Sequence, residues 1–158
     1  MQSDKNDFLQ LRGFQLAELC GIILTQKIMF TTLQIKEAHA KVKSGADFPK
    51  YVQDLIELGV KRYESFVSDG HTLYYGSDDY RVQSDAKYPS FVIAEQSNKT
   101  QFQKDLKEHQ QGKTDYLTFC RISAECGVEK WVVDMSKLTC TYYDILGNEL
   151  LVERIPTP

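Results

Sequence analysis

The stretch GVKRYESFVSDGHTLYYG, from Gly59, has a counterpart 68 positions later in GVEKWVVDMSKLTCTYYD, from Gly127. The same shift sets Asp47 against Asp115, Phe48 against Tyr116, Tyr51 against Phe119, Tyr63 against Trp131, Tyr74 against Tyr142 and Tyr75 against Tyr143. Upstream, a shift of 67 sets Ile35 against Phe102, His39 against Leu106, Val42 against His109 and Gly45 against Gly112, with one extra residue absorbed in the loop GKTD. Loops tolerate such insertions. A chain that states one pattern twice is constrained to use one unit twice, and we read it as a tandem duplication of a helix-helix-β-hairpin unit, over about residues 31–83 and 97–155.

Each unit has legible boundaries. Thr31 and Gln34 form a capping-box pattern, with Phe30 and Ile35 as its hydrophobic staple. Ile35, Ala38, His39 and Val42 predict one helix face, ended by Gly45. Asp47 as N-cap, Pro49 in the first turn and Gly59 as the stop predict a second helix. VKRYESFV, the turn Ser68-Asp69-Gly70, HTLYYG and YRVQ read as antiparallel strands, and FVIAE, from Phe91 to Glu95, as a linking strand. Such units each have a greasy sheet face and two greasy helix stripes, so the expected fold is α+β, a mainly antiparallel sheet with helices on one side. Residues 1–28 read as an N-terminal extension, helical over about Phe8 to Leu24 or poorly ordered, and 29–158 as one domain.

A chain of 158 residues can bury a core without staples. Its net charge of −3 argues against a phosphate-neutralising surface, so nucleic acid is not an expected partner. The longest apolar run, LAELCGIIL, already contains Glu18 and is too short to span a bilayer, and MQSDKNDF does not read as a secretory signal. The expected setting is cytoplasmic, with no membrane partner. Cys20, Cys120, Cys126 and Cys140 form no CxxC, and no histidine stands at ligand spacing, so no metal or cofactor is expected.

The internal pairing also weighs the reactive residues. His39 and His109 fall where the other copy has Leu106 and Val42, and Cys120, Cys126 and Cys140 fall opposite Val52, Leu58 and Thr72. Packing explains them all. His71 is the remaining catalytic candidate, a general base held by Asp69 or Glu64. Tyr74 and Tyr142, read as outward rings, and the acids Glu64 and Asp69 are the candidate ligand-binding residues.

The runs VKSGADFPKYVQDL, YESFVSDGHTLYYG, HQQGKTDYLTFC and GVEKWVVDMSKLTCTYYD together resemble an uncharacterised bacterial and prophage family labelled "phage envelope protein", over about Met29 to Pro156. The resemblance implies a domain of unknown function and carries no catalytic residues. The leading expectation is a non-catalytic binding module for a protein or small molecule; the alternative is a small hydrolase or isomerase using His71. The edge strands YRVQ and ELLVERI leave a homodimer open. Because the capping signal begins at Thr31, a chain starting at Met29 is expected to unfold in one cooperative thermal transition, and loss of that transition in circular dichroism would count against this.

Overall fold

A computed structural model of the chain describes residues 29–43 and 45–157. The expected N-terminal extension lies outside these residues. Among them are four helices and six strands: α1 (Thr32–His39), α2 (Phe48–Leu58), β1 (Arg62–Phe66), β2 (Thr72–Tyr75), β3 (Arg81–Gln83), α3 (Lys99–Gln110), α4 (Tyr116–Glu125), β4 (Val128–Asp134), β5 (Thr139–Asp144) and β6 (Glu149–Arg154). All six strands form one sheet in the order β3-β2-β1-β4-β5-β6, with every neighbouring pair antiparallel. The fold is α+β.

The helix ends follow the capping chemistry of the sequence. Thr31 Oγ1 accepts from the Gln34 N–H, and Gln34 Oε1 accepts from the Thr31 N–H at 2.8 Å, so two otherwise orphaned donors at the start of α1 are satisfied. Asn98 and Asp115 accept from the N–H groups of Gln101 and Thr118 at the starts of α3 and α4. Asp47, expected to cap α2, instead accepts from the Lys43 N–H across a short 3-10 turn, Gly45–Asp47. Gly59, at φ 95°, stops α2.

Two other expectations are corrected. The first helix ends at His39 rather than running to Gly45, and the Val42 N–H closes a turn onto the His39 carbonyl. FVIAE forms no strand, because its backbone donors are taken elsewhere: the Phe91 N–H by the Ser68 carbonyl and the Ala94 N–H by the Ala124 carbonyl.

Strand alternation divides the sheet into a covered and an open face. Tyr63, Ser65, Thr72, Tyr74, Val133, Cys140 and Tyr142 point to the covered face and are buried. Ring contacts identify the cover: Phe102 of α3 lies 4.9 Å from Tyr142, Phe119 of α4 lies 6.2 Å from Trp131, and the hydroxyls of Tyr51 and Tyr74 are 3.4 Å apart. Tyr63 is 4% exposed, whereas Trp131, expected to match it, is only partly buried.

The connector between β3 and α3 passes so close to the start of β4 that only glycine fits at position 127. A Cβ there would stand 2.8 Å from Ser97 Cα and 2.9 Å from the Gln96 carbonyl, and φ is +78°. Gly112 has a similar φ, +76°, in open space. Gly112→Ala is therefore expected to cost about 1–2 kcal/mol, the left-handed backbone penalty alone. Gly127→Ala should exceed this by roughly 1–3 kcal/mol, as overpacking against rigid backbone does. Denaturant midpoints compare the two, and equal losses would contradict the close approach.

Candidate functional site

The residues singled out in the sequence fall into two groups, separated by the thickness of the sheet. Glu64, Asp69 and His71 belong to the open face and its rim; Tyr74 and Tyr142 lie beneath the helices, 5% and 6% exposed. The expectation that Tyr74 and Tyr142 face outward is corrected: the outward members of the two pairs are Tyr75 and Tyr143. Alternation required one ring of each pair to be buried, and the helices cover the face of the first.

Three cross-strand rows build the open face. One runs Tyr75, Arg62, Asp134, Thr139, Arg154; the middle one Leu73, Glu64, Val132, Thr141, Val152; the third Phe66, Lys130, Tyr143, Glu149. The Arg62 guanidinium lies 4.1 Å from the centre of the Tyr75 ring, and the Lys130 ammonium 5.5 Å from that of Phe66. Glu64, 8% exposed, takes an ion pair from each cation, Arg62 at 3.0 Å and Lys130 at 3.2 Å. Its charge is thus compensated, and among the described residues its carboxylate accepts from Arg62 and Lys130 rather than from His71. A shallow hollow of about 650 Å³ beside this face is lined by Arg62, Tyr75, Asp79, Tyr80 and Arg81.

Asp69 and His71 do meet. The Asp69 carboxylate accepts from the His71 N–H at 3.0 Å and contacts ring Nδ1 at 2.5 Å, while the imidazole stacks on Phe66 with ring centres 4.5 Å apart. Burial alone would raise the Asp69 pKa, but these bonds more than offset it and hold the carboxyl below its usual range. The pair belongs to the turn between β1 and β2, and neither residue lines this hollow or the cleft that opens between α1 and residues 84–87. A general base acts on a substrate only where a concave site holds the substrate against it.

A second concavity lies on the covered side. A cleft of about 420 Å³ opens between α1 and residues 84–87, lined by Ile35, Lys36, His39, Ala40, Tyr74, Ser84, Asp85 and Lys87 among others. Burial lowers the His39 pKa, with the positive charge of Lys87 adding to the effect, and burial lowers that of Lys87. Burial also raises the Tyr74 pKa, keeping the phenol protonated. By surface area Lys87 is exposed, and its ammonium lies 5.4 Å from the centre of the Tyr116 ring. Of the expected binding residues only Tyr74 lines this cleft. Sequence reading missed Lys87 and took His39 as a packing residue; the signal was the pairing of His39 and Ile35 with the bulkier or greasier Leu106 and Phe102.

The three cysteines among the described residues are poorly suited to act as nucleophiles. Cys120, Cys126 and Cys140 are buried and free, and burial raises all three pKa values, that of Cys126 to about 11. Among the described residues no group of three or more His, Cys, Asp or Glu side chains gathers as a metal site would require. No helix among them is long and apolar enough to cross a membrane.

Residues 36–154 match the family described as "Protein of unknown function (DUF1398)". The chain belongs to that family. No curated protein matches it. The DUF1398 match takes in both halves of the sheet and all but the first turn of α1, so the open face and nearly all of the cleft are built from family sequence.

Asp69 gives a signed expectation for pH. Because its folded pKa is depressed, its stabilising contribution is complete above the unfolded carboxylate value, about 4, and is lost as pH falls through the lower folded value. Asp69→Asn should flatten the acid limb of a stability–pH curve and leave its neutral limb with a constant offset; an unchanged acid limb would contradict the assignment.

Proposed function

We propose that the chain is a non-catalytic binding module that holds a small molecule in the cleft between α1 and residues 84–87. The observation that carries this reading is the cleft's composition: hydrogen-bonding groups of Tyr74, His39 and Lys87 surround the apolar walls of Ile35, Ala40 and Ala86, with no activated nucleophile among them. The Ser84 hydroxyl, the nearest candidate, is engaged by the Thr72 N–H and the Asp85 carbonyl. The module works in a reducing compartment, the cytoplasm of a bacterial or prophage-bearing cell; three buried free thiols support the compartment, and the resemblance of residues 42–55 and 109–120 supports the prophage association.

The proposal includes a duplicated origin. Tyr63 opposite Tyr74 and Trp131 opposite Tyr142 hold the same register in the two central hairpins, in support of it. The β1–β4 register is also centred on Glu64 and Val132, which the shift of 68 makes counterparts. On this reading the first half binds and the second half, whose space is filled, supports it.

Native mass spectrometry of the gently purified full chain tests the function. An additional small mass, released unchanged on denaturation and retained in His71→Ala, is the expected result. Conversion of the released molecule by fresh protein, abolished by His71→Ala with folding intact, would overturn the module in favour of an enzyme.

A further inference from the structure

The two halves differ most where the cleft lies. In the second half the Phe102 ring of α3 stands 4.9 Å from Tyr142, edge to face, and is fully buried. In the first half the position equivalent in sequence is Ile35 of α1, and the ring beneath it, Tyr74, lines a cleft of about 420 Å³. A smaller side chain over the same tyrosine leaves room for a compact apolar group.

The charges around that room do not balance. Lys36 pairs across it with Asp85 at 3.7 Å. Lys87 has no carboxylate within ion-pair distance among the described residues, and the cleft therefore holds one uncompensated positive charge. His39, whose ring meets Tyr51 edge to face at 5.2 Å, has no side-chain hydrogen-bond partner among the described residues. Tyr74 and Tyr51 share one hydrogen bond between two hydroxyls, which leaves one O–H to donate elsewhere. One cation and two neutral hydrogen-bonding groups around an apolar wall suit a monoanion; a phosphate dianion would bring a second charge with no counterpart and would stand near Asp85.

We propose that the cleft takes a small monocarboxylate, its carboxylate on Lys87 within reach of His39 and Tyr74, its apolar body against Ile35, in the space that the Phe102 ring occupies in the other half. This rests on the binding-module reading and names the ligand class for the same site. The Lys36–Asp85 pair then works as a gate of charge: Asp85 competes with the ligand for the cations, and its removal tightens binding.

The test uses benzoate and its neutral isostere benzamide, titrated into the full chain and followed by amide nitrogen–proton correlation spectra. Benzoate is expected to give saturable shifts confined to residues 32–40, 74 and 84–88. Benzamide should bind about ten-fold or more weakly, the scale of a lost charge-assisted hydrogen bond. Lys87→Met should weaken benzoate by a similar factor without altering benzamide, Asp85→Asn should strengthen benzoate a few-fold, and Ile35→Phe should abolish both. Lys87 is exposed, so its variant remains informative if Ile35→Phe fails to fold, which the thermal midpoint reports. Equal binding of the two probes, or indifference of benzoate to Lys87→Met, overturns the monocarboxylate assignment and leaves the module reading standing. Absence of cleft shifts with either probe also overturns it, and the module reading falls with it only if native mass spectrometry finds no bound mass.

Discussion

The pairing of β1 with β4 is the contact on which the rest depends. It runs from the Met135 N–H on the Lys61 carbonyl to the Val67 N–H on the Glu129 carbonyl, with five residue pairs between, Arg62↔Asp134 to Phe66↔Lys130. Without it each half would be a three-stranded sheet with an open central edge and a core too small to be stable alone. On the covered side the seam sets Tyr63 beside Val133 and Ser65 beside Trp131; on the open side it sets Lys130 within reach of Glu64. Both faces are therefore organised by one set of backbone bonds.

Glu64 shows what the seam demands. A nearly buried carboxylate is tolerated only if its charge is matched, and Arg62 and Lys130 supply the match from one strand each. Removing either cation leaves the other to carry the pair, whereas removing Glu64 leaves two cations close together beside aromatic rings. The Glu64 cluster thus compensates its own charge, while Lys87 beside the cleft has no ion-pair partner among the described residues.

Much of this was legible in the sequence because it rests on local chemistry. Thr31 with Gln34, Asp115 and Gly59 each mark a helix end through bonds to residues a few positions away, and the two hairpins follow from turn residues between β-branched runs. The choice between Tyr74 and Tyr75 was not legible, since alternation defines two faces without saying which one the helices cover. FVIAE has the composition of a strand, but composition does not reveal that Ser68 and Ala124 compete for its backbone donors. The cleft was hidden for another reason: it is a volume left by what Ile35 lacks, and Lys87 reaches it from a connector with no periodic pattern to draw notice.

The central seam has a kinetic side as well. β1 and β4 are joined through the whole of the intervening chain, whereas each hairpin closes across a short turn, so local pieces form before the seam can close. Until then β1 and β4 are unprotected edges of nearly matched register, and an edge that accepts its counterpart within one chain accepts the same strand from a neighbour. Refolding at high concentration is where exchanged dimers would arise, with β1 of one molecule laid on β4 of another and each chain completing its partner's sheet. The contact that makes one sheet of two halves is also the point at which two molecules can become entangled.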